Sequence, residues 1–167
     1  MSTAFWVRPL LFAVLIGALL QPGPVPAVPM ADDPRGFGGI AWGGPFPESD
    51  AYVLAEEGPR IKGYELKQGP PPLGEAKMES MRFLTVNGKF GRVVARYQGK
   101  DTHAKVLAYL EAKYGPLDRT PGQFSHGVAQ LLNWRGPDTE INLTYDFQRE
   151  RGLIFFESRT LMPEFQG

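Results

Sequence analysis

Side chains able to do chemistry are few in this sequence, which holds two histidines and no cysteine. His103 sits at i, i+3, i+4 and i+7 with Val106, Leu107 and Leu110, the spacing of one helical face. A neutral imidazole at the rim of an apolar stripe accounts for it. Asp101-Thr102-His103 sets one carboxylate beside one imidazole, short of the three or four ligands of a zinc site. His126 follows Ser125 in a glycine-bounded loop. Adjacent residues rarely aim at each other as nucleophile and base. A small hydrolase using His103 or His126 is therefore the alternative reading. The leading one is non-catalytic, with no catalytic residue, metal ligand or cofactor assigned.

Two further clusters dissolve in the same way. Gly36, Gly38, Gly39, Gly43 and Gly44 follow no strand and lack the Gly-Lys-Ser/Thr of a phosphate loop. Tight turning around Phe37 and Trp42 explains them. Glu56-Glu57 stand beside Gly58 as solvated charge rather than as a glycosidase pair, whose separation no sequence spacing reveals.

The strongest binding signal is a basic strand face. Arg92 and Arg96 alternate on one run with Lys89 at its start, and Arg82 lies on the preceding run. Such a face suits an acidic surface of an envelope protein or a small anionic ligand. Glu75 and Glu79 are the nearby carboxylates available to pair with it.

The elements that position these residues follow from pattern and punctuation. Pro47-Glu48-Ser49-Asp50 reads as a helix start, with Ser49 or Asp50 as cap and Gly58-Pro59 as stop. Ile61 to Leu66 reads as a strand. Met78 to Val86 and Phe90 to Gln98 flank Asn87-Gly88, the dipeptide of a type I′ hairpin, with a bulge expected near Glu79 or Ser80. Asp101 to Tyr114 is a helix capped by Asp101 or Thr102, burying Val106, Leu107, Leu110 and Tyr114, and stopped by Gly115-Pro116. Leu117 to Ser125 is loop. Val128 to Arg135, Glu140 to Phe147 and Leu153 to Ser158 are strands. The fold class expected is α+β, an antiparallel sheet with helices on one face. Its order is helix, three strands, helix, three strands, which suggests a tandem duplication.

The chain has 167 residues, room for one domain. Leu10 to Leu20 is an apolar run with Arg8 before it and Gln21-Pro22-Gly23-Pro24 after it. That length is a signal-peptide core and too short to cross a bilayer as a helix. Residues 1–31 are read as an export signal cut near Ala27 or Ala31, and residues 32–167 as a single soluble domain, periplasmic or secreted. Residues Asp32 to Pro47 are glycine- and proline-rich, and read as an ordered lead-in pinned by Phe37, Ile40 and Trp42. Basic and acidic side chains number 18 each and only Arg8 precedes Asp32, so no cationic excess is left for nucleic acid. Without cysteine, the exported part holds no disulfide, thiolate site or lipidated cysteine.

Phe37-Gly38-Gly39-Ile40-Ala41-Trp42-Gly43, Asn87-Gly88-Lys89-Phe90 with Val93, Tyr114-Gly115-Pro116, and Trp134-Arg135-Gly136 with Ile141, Leu143 and Tyr145 resemble a domain of unknown function in small exported proteins of Gram-negative bacteria. The resemblance spans about Phe37 to Ser158 and implies a periplasmic domain. The second half, a helix ending in Gly-Pro before three strands, is loosely similar to outer-membrane assembly lipoproteins of the BamE type. Those begin with a lipidated cysteine, absent here, and no functional residue is carried over. A structural subunit of an envelope assembly is thus a further alternative.

Overall fold

The computed structural model describes residues 30–47, 49–116, 124–126 and 128–166. An amino-terminal arm carries a two-stranded ribbon, β1 (Gly36–Phe37) with β2 (Ile40–Ala41). Four strands follow, β3 (Tyr52–Glu57), β4 (Ile61–Leu66), β5 (Ser80–Val86) and β6 (Lys89–Gln98), then the helix α1 (Lys100–Tyr114). Four more strands complete the sheet: β7 (Phe124–His126), β8 (Ala129–Arg135), β9 (Thr139–Asp146) and β10 (Arg151–Ser158). A single 3₁₀ turn, Met162–Phe165, ends the described chain. The strands form one antiparallel sheet in the order β3-β4-β5-β6-β10-β9-β8-β7. Each half is a meander of neighbours, and the last strands of the two halves, β6 and β10, pair at the centre.

This corrects the expected fold class. Of the described residues 47% are strand and 15% helical, and α1 is their only α-helix. The order is four strands, helix, four strands, not helix, three strands, helix, three strands. The expected first helix is β3. Ser49 does make a local cap, its Oγ accepting from the Ala51 N–H at 3.2 Å, but it caps a turn. Six residues ahead of Gly58-Pro59 are too few to nucleate a helix cheaply. Pairing with β4 satisfies one side of their backbone instead, and packs Tyr52 on Phe46 and Phe83.

Elsewhere local chemistry and fold agree. Asn87 and Gly88 have φ of 50° and 80°, both positive as a type I′ turn requires. The register irregularity of that hairpin falls between Leu84 and Thr85, not near Glu79 or Ser80. The helix begins at Gly99 with no side-chain cap, correcting Asp101 or Thr102 in that role, and Gly115 at φ 105° stops it. The Trp134 indole N–H donates to the Gly115 carbonyl at 3.0 Å, satisfying a terminal acceptor. Part of the expected loop Leu117 to Ser125 is strand: Phe124–His126 pairs with β8. Residues 117–123 of it lie outside the described residues, as does the leader up to residue 29.

One hydrophobic cluster runs through both halves. Met81, Phe83, Phe90, Val93, Ala95 and Tyr97 meet Leu132, Trp134, Ile141, Leu143, Tyr145, Ile154 and Phe156 beneath Val106, Leu110 and Tyr114 of α1. The arm is ordered by the side chains expected to pin it. Phe37 packs on Phe156 at 4.8 Å between ring centroids, and Trp42 stacks on Phe90 at 4.9 Å. Among the described residues no helix is long and apolar enough to cross a membrane.

Candidate binding surface

Residues alternate between the faces of a strand, so beyond the register shift at Gly91 the helix α1 and the arm take the odd-numbered side of β6, Val93 to Tyr97, and leave the even-numbered side uncovered. Cross-strand register sorts that open face into rows. One runs Leu84, Arg92, Glu157, Glu140, Arg135; the next Arg82, Val94, Phe155, Asn142, Asn133; a third Ser80, Arg96, Leu153, Thr144, Leu131. The middle is amphipathic. Leu153 and Phe155 are half-buried, Arg96 and Thr144 are exposed, and Leu131 is 43% exposed. Among the described residues, the Met162–Phe165 turn is the segment found against this face, at one end, where Phe165 lies 4.3 Å under the Arg92 guanidinium.

The first row is a charged ladder across four strands. Arg92 Nη2 reaches Glu157 Oε1 at 2.6 Å. Asn142 Nδ2 donates to Glu157 Oε2 at 3.4 Å, and Asn133 Nδ2 to both Asn142 Oδ1 at 2.7 Å and Glu140 Oε1 at 3.0 Å. Arg135 closes the far end with Nε and Nη2, each 2.9 Å from a Glu140 oxygen. That bidentate pairing holds the Arg135 guanidinium above its ordinary pKa. Glu157 and Glu140 stand directly opposite one another at 6% and 7% exposure, each neutralised by an arginine on its outer side. Buried carboxylates persist only when paired and hydrogen-bonded, as these are. The Arg92 Nε is buried without a hydrogen-bond partner.

Three of the four expected basic residues share this face. Arg82 is neutralised by Glu65, at 2.7 Å through Nη2, and by Glu56 at 3.1 Å. Arg92 belongs to the ladder, and Arg96 is exposed without an ion pair among the described residues. Their carboxylates are Glu56, Glu65 and Glu157, not Glu75 or Glu79. The ladder partners Glu140, Asn142, Asn133 and Arg135 went unrecognised in sequence. Their signal was there: Glu140 and Asn142 are the polar positions of an alternating strand.

Lys89 lies elsewhere, at the start of β6 beside the hairpin turn. It lines a cavity of about 520 Å³ with Arg35, Trp42, Asp138, Ser158 and Thr160. Arg35 Nε lies 3.4 Å from Asp138, while Lys89 is exposed and makes no ion pair among the described residues. The indole N–H of Trp42 is held at 2.8 Å by Thr139 Oγ1.

His103 has a different setting. Tyr97, Gly152, Tyr145 and Gln130 form one cross-strand row on the helix-covered face. Gly152 makes room within it: a Cβ there would lie 1.9 Å from Tyr97 Cζ. His103 comes down from α1 onto that row and stacks on Tyr145 at 3.8 Å and 4°. Its Nδ1 is 2.6 Å from the Tyr97 hydroxyl and its Nε2 2.8 Å from Gln130 Oε1. The neutral tautomer protonated on Nε2 satisfies both, accepting from Tyr97 and donating to Gln130. Burial lowers the His103 pKa and raises that of Tyr97, so both stay neutral. Both ring nitrogens are occupied. His126 lies in β7, not in a loop. Among the described residues no group of three or more His, Asp and Glu is arranged to hold a metal ion.

No family model, curated protein or solved structure matches this chain. Its function is therefore argued from geometry.

Proposed function

We propose that this chain is exported through a cleaved amino-terminal signal and works in the periplasm as a non-catalytic module. It binds an envelope protein through the open face of its sheet. The observation that carries this reading is the Arg92-Glu157-Glu140-Arg135 ladder. Burying Glu157, Glu140 and most of Arg92 contributes little to stability compared with apolar packing of the same volume. Rigid, paired charges beside half-buried Leu153 and Phe155 instead suit recognition, where polar patterns select the partner and apolar area adds affinity. The burial of His103 beneath α1, with its ring nitrogens engaged by Tyr97 and Gln130 of the core-facing row, supports the non-catalytic part. A structural subunit of an assembly is less well supported. Among the described residues, the large exposed apolar side chains divide between Val53 and Leu54 on edge strand β3 and Val128, Leu131 and Phe147 at the other end of the sheet, rather than forming one patch.

The test is affinity capture from envelope extract with the exported protein and with its Glu140→Gln, Glu157→Gln double variant. The variant keeps its circular dichroism and loses the specific partner. Recovery of the same partner at unchanged yield would refute the reading.

A second reading rests on the cavity. With Lys89 unpaired and Arg35 at its rim, it suits a small anionic ligand carrying an apolar group against Trp42. Calorimetric titration with a panel of aromatic carboxylates, on the protein and on Lys89→Gln, distinguishes it: binding confined to the parent chain supports it, and no heat from either excludes it.

A further inference from the structure

The export signal offers two cuts, after Ala27 and after Ala31, and the fold separates them. Met30 is 8% exposed and belongs to the hydrophobic cluster. Its N–H points to the Arg135 carbonyl at 3.4 Å, at the end of β8, while the Ala31 N–H donates to the Tyr114 carbonyl at 2.9 Å, at the end of α1. These two residues therefore fasten the sheet to the last turn of the helix. Gly115 lies beside them, where a Cβ would be in ordinary van der Waals contact with Ala31 at 3.5 Å. The anchorage continues into the arm. The Asp33 carboxylate accepts from the Asp138 and Thr139 N–H groups at 2.6 and 3.0 Å, over a Gly136 whose Cβ would lie 2.4 Å from it. The Pro34 carbonyl accepts from the Thr139 hydroxyl.

A cut after Ala31 would remove the Met30 side chain from the core and orphan the Tyr114 carbonyl, one of the acceptors a helix leaves open at its end. A cut after Ala27, with Val25 and Ala27 at the small-residue positions, keeps every one of these contacts. We infer that the leader is removed between Ala27 and Val28, and that Met30 is the first core residue of the mature protein. This rests on the export reading. It makes Met30 and Ala31 a structural plug close behind the cut, so that processing and final folding meet at one short segment.

The experiment is intact-mass measurement and amino-terminal sequencing of the protein from the periplasmic fraction of cells expressing the full chain. The expected start is Val28. A start at Asp32, or at any other residue, overturns the inference. Of these, a start at Met1 or Ser2 overturns the export reading too, whereas Asp32 leaves export standing. A second measurement keeps the packing argument separate. Met30→Gln in the full chain, purified after export, should lower Tm by about 5 °C or more. An unchanged Tm would show that Met30 is not part of the mature core.

Discussion

The sheet carries two polar networks of opposite kind, one on each face. Under α1, the Tyr97, His103 and Gln130 chain is neutral and stacked on Tyr145, and joins β6 of the first half to β8 and β9 of the second. On the open face, Arg92, Glu157, Glu140 and Arg135 span four strands with full charges and side-on asparagines. Where a helix excludes water the groups are uncharged: both His103 nitrogens are engaged, while the buried Tyr145 hydroxyl has no hydrogen-bond partner among the described residues. Where no layer covers the strands, full charges persist, the glutamates buried against their arginines and Arg135 half-exposed at the outer end. The first network joins the two halves beneath α1, and the second lies on the face that we propose as the binding surface.

Substitutions that break one network and spare the other make the contrast measurable. The largest effect is expected from Gly152→Ala, which drives a methyl into the Tyr97 ring and should cost more than about 3 kcal/mol in urea unfolding. Arg92→Ser comes next. It leaves Glu157 buried and uncompensated, so a loss of about 3 kcal/mol is expected. Its comparison is Arg82→Ser.

His103→Leu is expected to cost about 2 kcal/mol at pH 7.5, because Tyr97 and Gln130 lose their partner. Its pH dependence is the sharper readout. Burial lowers the folded-state pKa of His103 below its ordinary 6.5. The unfolded chain therefore binds the proton first, and stability falls as pH drops below about 6.5. Urea midpoints at pH 7.5 and 5.5 should diverge for the parent protein and diverge less for His103→Leu. Equal divergence would remove His103 from the account.

Arg82→Ser is the smallest. Its partners Glu56 and Glu65 are partly solvated, and such pairs are worth under about 1 kcal/mol. A loss as large as that of Arg92→Ser would erase the distinction between the ladder and ordinary surface pairs.

How much of this was legible in sequence depends on whether the signal was local. Asn87-Gly88, the strand Ile61 to Leu66, the helix stop at Gly115 and the strand over Glu140 to Phe147 are near-neighbour effects, and the structure has each of them. The segment Tyr52 to Glu57 did not. Its cap-like Ser49 and Asp50 are genuine turn formers, and only the approach of β4 and Phe46 decides for strand. The gathering of Arg92 with Glu157, 65 positions apart, needs the β6-β10 pairing, which no local pattern encodes. Assigning His103 as a neutral imidazole by the apolar stripe was sound, because helical spacing alone places it there. Its partners Tyr97, Tyr145 and Gln130 come from three strands, and Gly152 reads in sequence merely as a turn residue.

The claim that the open face is the working surface is tested most directly by photo-cross-linking in cells. A benzoylphenylalanine is placed at Arg96 or Thr144, mid-face, and separately at Lys105 on the exposed side of α1. The account predicts one discrete adduct from Arg96 and Thr144, weakened by Glu140→Gln with Glu157→Gln, and none from Lys105. An adduct from Lys105 with the open-face positions silent would contradict it.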